Sequence, residues 1–120
     1  MATNKDGVDW RSVCPISSAL DVLGDKWSML IIRDLVIHGT RTYSDFLQSP
    51  ERISTNILAL RLNLLTCLKL VERINPDANA RNNAYKLTKG GAALRPVLEG
   101  LGRWAQTYLK EFHSDMVKIS

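Results

Sequence analysis

Apolar positions in the first third of the chain recur at a spacing of about 3.6 residues, which is typical of amphipathic helices. Pro15 favours the first turn of a helix, so the first helix is predicted to begin there with Cys14 at its N-cap, and Gly24 ends it. A second helix is predicted over residues 26–38, with Asp25 as its cap. Because this second helix is apolar on most of its circumference, we expect it to be central and buried.

Two further helical segments follow, with a tight turn between them. Residues 42–47 predict one or two helical turns, and Ser49-Pro50 closes them. Ser54 is a favourable N-cap for a longer helix that runs to about residue 68. The inward stripe of that helix is predicted to be Leu58, Leu62 and Leu65, with Ile57 at its edge.

The pattern then changes from helical spacing to loose alternation. Residues 70–74 and 84–88 are predicted strands, and the polar, turn-rich residues 75–83 between them make a hairpin. A long helix follows, capped by Thr88 and bent near Pro96. Its apolar stripe consists of Leu94, Val97, Leu98, Leu101, Trp104, Ala105, Tyr108 and Phe112.

This order of elements is typical of a winged helix-turn-helix. A short helix, a tight turn and a longer helix form the helix-turn-helix, and the hairpin after them is the wing. We therefore predict a mainly α fold with a small β-hairpin (α+β), which dimerises through its N- and C-terminal helices. Residues 1–12 are expected to form a flexible arm, residues 13–112 the DNA-binding domain, and residues 113–120 a C-terminal tail.

Positive charge is concentrated in the middle of the chain. The 120 residues carry 16 Lys and Arg against 12 Asp and Glu, a formal net charge of +4. Residues 41–90 hold eight of the basic and four of the acidic residues, so the remainder, with eight of each, is neutral. A polyanionic partner, double-stranded DNA, is one explanation. The other is that the charge only aids solubility.

A helix that lies in the major groove reads bases through the residues at its front. The candidate DNA-binding residues are Ser54, Thr55, Asn56 and Arg61 on the helix, and Arg81 and Asn82 in the wing loop, where Asn83 lies beside them. Short polar side chains can donate to phosphates or contact base edges, and an arginine on a slender loop suits a phosphate or a narrow minor groove. For Arg61 and Arg81 the alternative is an ordinary solvated surface charge.

Other classes of function are disfavoured by what the sequence lacks. It has no Gly-x-Ser-x-Gly elbow and no Gly-rich phosphate loop, so we do not expect an enzyme. His38 and His113 have no neighbour at metal-ligand spacing, so we predict neither a metal nor another cofactor. No signal peptide or membrane-spanning stretch is visible, so we expect a cytoplasmic location and no membrane partner.

Ordered motifs over residues 14–109 resemble the HxlR-type winged helix-turn-helix regulators, relatives of the MarR group. The most specific motif is Leu-Asp-Val-Leu-Gly-Asp-Lys-Trp at residues 20–27. Further resembling segments are residues 14–15, 30–35, 43–46, 53–58, 61–62, 70–73 and 85–88, the last leading into 96–98. The resemblance implies a homodimer that binds an inverted-repeat operator, usually as a repressor and sometimes as an activator.

The chain departs from this family pattern in two places. Lys69 stands where members usually have Gly, which would permit a positive φ, so the lysine is either strained or needs a different turn. Leu64 and Leu68 stand where members are usually charged, and with Leu60 they make a second apolar ridge. That ridge is either extra packing or a surface for a partner or ligand.

Cys14 is the most distinctive single residue. A thiol at a helix N-cap faces unpaired N–H groups and the positive end of the helix dipole, which favours the thiolate. The family resemblance implies that a cysteine just before this proline can sense oxidants or electrophiles, whereas the alternative is a small packed residue. Cys67 is expected to be a packed small hydrophobe, and the alternative is a resolving thiol that pairs with Cys14 of the other subunit.

The stripe on the C-terminal helix extends beyond what a small core can cover. A dimer interface with the first helix is therefore predicted, with Leu20, Leu101, Trp104 and Tyr108 in it. Two other hypotheses stay open. One is a regulator with a small-molecule pocket at the dimer interface, lined by residues such as Trp27 and Trp104, and the other is a winged-helix protein-interaction module.

Overall fold

The computed structural model describes residues 7–75, 77 and 83–118. Six helices and three strands follow one another along this part of the chain. They are α1 (Pro15–Leu23), α2 (Ser28–His38), β1 (Thr40–Thr42), α3 (Tyr43–Leu47), α4 (Thr55–Cys67), β2 (Val71–Arg73), β3 (Ala84–Leu87), α5 (Lys89–Ala92) and α6 (Arg95–Tyr108). The predicted mainly α fold with a hairpin is confirmed.

The junction between α1 and α2 is longer than the sequence pattern predicted, and Trp27 rather than Asp25 is the N-cap of α2. Gly24 ends α1 in a right-handed conformation, and a Cβ there would lie 2.4 Å from the carbonyl oxygen of Leu20, so a close approach requires the glycine. The Asp25 carboxylate accepts hydrogen bonds from the backbone N–H groups of Trp27 and Ser28, at 2.9 Å each. Because the N–H groups of Trp27 and Ser28 are bonded to the Asp25 side chain, α2 begins at Ser28 rather than at residue 26.

The helix-turn-helix forms as predicted. The Thr42 hydroxyl accepts from the Asp45 backbone N–H and the Asp45 carboxylate accepts from the Thr42 N–H, a capping box that starts α3. Ser54 caps α4 by accepting from the Ile57 N–H. The predicted inward stripe of α4 is confirmed, since Leu58, Leu62 and Leu65 are all buried.

The sheet contains one strand more than predicted. β3 lies in the middle, with β1 and β2 antiparallel on either side, so the hairpin is confirmed and β1 is an addition. Three residues, Thr-Arg-Thr, carry too little alternation to be recognised as a strand on their own. Tyr85 of β3 is paired with Arg41 of β1 on one side and Arg73 of β2 on the other.

The prediction of a single long C-terminal helix is wrong. Thr88 caps only the short α5, and the chain turns before Pro96 starts α6. Proline has no N–H to donate to the carbonyl four residues earlier, so it begins a helix here instead of bending one. The helix ends at Tyr108, so Phe112 lies beyond the helical stripe.

The core lies between α2, α4 and the sheet, and the start of the described chain packs onto it. Its largest fully buried side chains include Ile32, Leu35, Phe46 and Tyr85. Val8 is buried and Trp10 packs against the core. These residues of the predicted arm therefore lie on the domain. None of the described helices is long and apolar enough to cross a membrane.

Lys69 lies in the turn between α4 and β2. Of the two expected alternatives, a strained lysine or a different turn, the structure has the strained lysine. Its φ is +62°, in the left-handed region. The N–H of Lys69 donates to the carbonyl of Thr66, and the N–H of Leu70 donates to the carbonyl of Leu65. This is the Schellman ending of a helix, in which the left-handed position favours glycine.

Candidate nucleic-acid interface

The first turn of α4 exposes the polar residues predicted for DNA contact. Ser54, Thr55 and Asn56 are all exposed. The Ser54 Oγ is 3.2 Å from the Ile57 N–H that it accepts, so its own hydroxyl proton remains available to an outside acceptor. The Tyr43 hydroxyl of α3 donates to the Thr55 carbonyl at 2.6 Å and fixes the two helices of the motif against each other.

Arg61 does not lie with these three residues. Its guanidinium points to the beginning of α2, where Nη1 is 3.2 Å from Asp25 Oδ1 and 3.5 Å from the Ser28 hydroxyl. Burial opposes the charge on Asp25, but hydrogen bonds from Ser28 and Trp27 and the charge of Arg61 outweigh it and lower the pKa of that carboxyl. Arg61 therefore joins α4 to α2.

A second arginine fixes the turn before α4. Arg33 of α2 forms a bidentate pair with Glu51, at 2.7 and 2.8 Å, and also contacts the buried Asp34. The Ser49 hydroxyl donates to the other oxygen of Asp34. Bidentate pairing raises the pKa of Arg33 and lowers that of Glu51. This network holds the helix-turn-helix at a fixed geometry relative to α2.

Two arginines of the sheet are arranged differently. Arg41 and Arg73 flank the buried Tyr85, and paired residues on neighbouring antiparallel strands point to the same face. The Nε atoms of both are buried and have no hydrogen-bond partner among the described residues. Arg41 helps the Thr42 hydrogen bonds to lower the pKa of Asp45, but the two side chains form no ion pair within the described chain.

A groove connects Arg73 with α4. It has a volume of about 210 Å³ and runs between α4 and the sheet. Asn63, Thr66 and Arg73 contribute polar groups to its wall, and Tyr43 lies at the α3 side. The sheet therefore places a cation, Arg73, beside the middle of α4. Arg41 and Arg73 belong to the basic segment of the sequence, but neither could be predicted as a site residue, because the β1–β3–β2 pairing is not visible in the linear order of residues.

The wing loop is described only at its base. The predicted contacts Arg81 and Asn82 lie outside the described residues. Asn83 is fully buried, so its placement at the exposed tip is wrong. Its side chain accepts from the Asn75 N–H at 3.0 Å and donates to the Asn75 carbonyl at 2.6 Å, which closes the base of the loop.

The outward face of α4 includes Leu60 of the predicted apolar ridge and two residues, Ala59 and Asn63, that were not predicted to be site residues. Ala59, Leu60 and Asn63 are exposed there, between the front of the helix and its C-terminus. The apolar ridge from Leu60 to Leu68 is not one continuous surface, because Leu68 packs against the core while Leu60 is 63% exposed.

The two cysteines are both exposed. Cys14 occupies the N-cap of α1 as predicted, and its N–H donates to the Ser12 hydroxyl at 3.2 Å. Cys67 is the last residue of α4, and the prediction that it is packed is wrong. It falls on the outer side of a helix whose buried stripe is already filled by leucines.

An apolar face on α1 and α6 is uncovered in the single chain. Its predicted members, Leu20, Leu101, Trp104 and Tyr108, are between 53% and 65% exposed. The rings of Trp104 and Tyr108 lie 6.1 Å apart. Trp27 is elsewhere, in the lining of a cavity of about 10 Å³ under α2 that does not include Trp104. That cavity has room for about one water molecule.

Comparison with known proteins agrees with this geometry. The HxlR-like helix-turn-helix family matches residues 22–113. The HTH-type transcriptional regulator sll1512 of Synechocystis is 32% identical over 82% of this chain and 73% of its own length. The HTH-type regulator YodB of Bacillus subtilis is 31% identical over 82% of this chain and 88% of its own.

Solved structures extend the likeness to three dimensions. The quinone-bound structure of YodB has a TM-score of 0.67 at 32% identity, and the match covers 80% of this chain and 100% of that one. The redox regulator HypR in its oxidised form has a TM-score of 0.67 at 26% identity, over 78% of this chain and 96% of that one. The chain belongs to the HxlR-like helix-turn-helix family of transcriptional regulators.

Proposed function

We propose that this regulator is a homodimer that binds an inverted-repeat DNA operator and acts as a repressor. The observations that carry the proposal are the exposed polar front of α4 and two sheet arginines that form no ion pair among the described residues, of which Arg73 lines a groove beside α4. Ser54, Thr55 and Asn56 enter the major groove, while Arg41 and Arg73 bind phosphates beside it. Arg81 and Asn82 of the wing contact the flanking backbone or minor groove.

The dimer interface is assigned to the exposed apolar face of α1 and α6. Trp104, Tyr108, Leu101 and Leu20 supply it. Large exposed apolar side chains on one face are typical of interaction sites. A twofold axis through this interface would place the two α4 helices about one DNA turn apart, roughly 34 Å. Sedimentation as a monomer at micromolar concentration would contradict this part of the proposal.

The first experiment is fluorescence anisotropy with the DNA upstream of the protein's own gene. We expect specific binding that weakens steeply with salt, because each phosphate contact releases counterions. Trp104→Glu should yield a folded monomer that binds far more weakly, since only one half-site is then contacted at a time. Binding of the wild type to no DNA would instead favour the winged-helix protein-interaction module.

We further propose that Cys14 makes the regulator responsive to oxidants or electrophiles. The exposed position of its thiol supports this, as do relatives studied in quinone-bound and oxidised forms. A quinone would form a carbon–sulfur bond with Cys14, the thiol hydrogen passing to the ring as it becomes a hydroquinone. Diamide would take two electrons and two protons from Cys14 and a second thiol, leaving a disulfide.

Cys14→Ser and the matched control Cys67→Ser separate the possible signals. We expect both variants to bind DNA when reduced. A quinone needs only one thiol and should change DNA binding in wild type and Cys67→Ser but not in Cys14→Ser, whereas loss of the diamide response in Cys67→Ser would identify Cys67 as the second thiol. An unchanged response in Cys14→Ser would remove Cys14 from this role. Absence of any response in the wild type would favour the alternative regulator with a small-molecule ligand at the dimer interface.

A further inference from the structure

The middle of α4 presents an unusual outward surface. Asn56, Leu60 and Asn63 are exposed at positions i, i+4 and i+7, so they lie along one side of the helix. Leu60 is apolar and lies between two polar side chains, yet it is 63% exposed. The buried stripe on the opposite side is complete, so Leu60 has no packing role in the single chain.

This outward surface carries no positive charge. Arg61 is the only basic residue between Thr55 and Cys67, and its guanidinium is paired with Asp25. Guanine is usually read in the major groove by arginine or lysine, through its O6 and N7. Positive charge for affinity is supplied from the sheet, by Arg73 in the groove beside α4 and by Arg41 of β1, which could bind phosphates without regard to base sequence.

The three side chains match the major-groove edge of A·T pairs. An asparagine amide can donate to N7 and accept from N6 of adenine, and an apolar side chain can contact the thymine methyl group. We propose that Asn56 and Asn63 contact adenines and that Leu60 contacts a thymine methyl group, so that α4 selects A·T pairs. This inference rests on the proposed DNA-binding function and assigns the class of sequence that the site recognises.

The length of the surface sets the number of base pairs. Seven residues of helix between Asn56 and Asn63 span about 10.5 Å. At about 3.4 Å per base pair this equals roughly three steps. Each half-site should therefore contain three or four consecutive A·T pairs opposite α4. In this arrangement Asn56, Asn63 and Leu60 contact the floor of the DNA major groove, and the arginines of the sheet contact the phosphates.

The first test is selection of double-stranded DNA from a random pool by the wild-type protein. We expect the recovered half-sites to share a run of A·T pairs. In that site, each thymine is then replaced by uracil, which lacks only the methyl group, and each adenine by 7-deazaadenine, which lacks only N7. Loss of one buried methyl contact should weaken binding by about fourfold at one position.

Variants then assign each contact. Leu60→Ala should bind thymine and uracil operators equally, while Asn56→Ala keeps the difference between them and serves as the matched control. Asn63→Ala should lose the penalty for 7-deazaadenine at one position, where loss of the bidentate pair costs about tenfold. Asn63→Arg should shift the preferred base at that position from adenine to guanine.

The outcomes distinguish this inference from the function on which it rests. Recovery of no DNA in the selection, with the protein folded and dimeric, would overturn both. Recovery of a specific site with G·C pairs opposite α4, or equal affinity of the wild type for thymine and uracil, would overturn only the A·T assignment. A site with an A·T run and a methyl effect that Leu60→Ala removes would establish it.

Discussion

Arginines in the helical part of the molecule and arginines in its sheet are placed in opposite ways. Arg33 and Arg61 are held by carboxylates of the same chain, whereas Arg41 and Arg73 form no ion pair within the described residues. All four count equally toward the net charge. The positive charge that a polyanion can contact therefore depends on which arginines are paired with carboxylates of the same chain, and not on composition.

The two groups also differ in what surrounds them. Arg33 pairs with Asp34 of its own helix and with Glu51 in the turn before α4, and Arg61 reaches from α4 to Asp25. The carboxylates of Asp34 and Asp25 are themselves held by hydrogen bonds. Arg41 and Arg73 lie across the central strand on either side of Tyr85. The first pair joins α2 to the helix-turn-helix, whereas the second is the pair that we propose to bind phosphates.

The largest predicted difference is in the stability of Arg61→Ala and Arg73→Ala. Loss of Arg61 leaves the part-buried Asp25 without its partner and should lower the free energy of unfolding by about 2 kcal/mol. Arg73→Ala should change it by less than about 0.5 kcal/mol. Urea unfolding of the two variants measures this difference, and equal losses would remove the distinction between the two groups of arginines.

DNA affinity should show the reverse order, with the larger loss on replacing an arginine of the sheet. Arg41→Ala and Arg73→Ala each remove one phosphate contact, so each should weaken binding by about tenfold and reduce the slope of log K against log salt by about one. Lys89→Ala, an exposed cation at the start of α5, is the control for general charge. A slope unchanged by Arg73→Ala would show that this side chain is not at a phosphate.

Lys69 lies at the boundary between the two regions, and its replacement should stabilise the protein. Lys69→Gly relieves the left-handed conformation at the end of α4, with an expected gain of about 0.5–1 kcal/mol after the added chain entropy of the unfolded state. Lys89→Gly, in a helix with ordinary φ, should instead destabilise. Thermal unfolding compares the two signs, and a loss in Lys69→Gly would contradict the assignment of strain.

The smallest effect is the pH dependence of the Arg33–Glu51 pair. The hydrogen bond from Arg33 lowers the pKa of Glu51 below its ordinary value of 4.5, so the pair stabilises the fold above that pH and the contribution is lost as pH falls through the lowered value. Glu51→Gln should cost about 0.5 kcal/mol at pH 7, discounted for solvent screening, and progressively less as pH falls below 4.5.

Glu72→Gln is the control for this measurement, because its partner Lys86 is a half-exposed surface cation at 3.4 Å. Urea midpoints at pH 7 and pH 3 should be unchanged in that variant. A difference between wild type and Glu51→Gln that persists undiminished at pH 3 would mean that the stabilisation does not depend on the Glu51 charge.

Local features of the fold could be predicted well from the sequence. The N-caps at Cys14, Ser54 and Thr88 and the buried stripe of α4 were all confirmed, because each depends on residues within a few positions along the chain. The long C-terminal helix was not, because a turn before Pro96 competes with a continuous apolar stripe. The helical spacing of apolar residues continues across this turn, so the spacing alone does not reveal that the helix is interrupted.

Contacts between distant residues could not be predicted. The third strand exists only because β3 lies beside Thr-Arg-Thr, and Asn83 is buried only because Asn75 closes the loop onto it. Cys67 is exposed because the leucines of α4 had already filled the inward side. Each of these outcomes depends on partners that are separated along the chain and meet only after folding.

The sequence by itself determined the element order, the caps, the helix-turn-helix and the family, since these follow from periodicity and short motifs. Only the tertiary structure decided which charges and apolar groups remain free to bind. It paired Arg61 with Asp25, left Arg41 and Arg73 without an ion pair among the described residues, and exposed Leu60 between two asparagines. The physical reason is that a salt bridge or a burial depends on distance in space, which the linear order of residues does not contain.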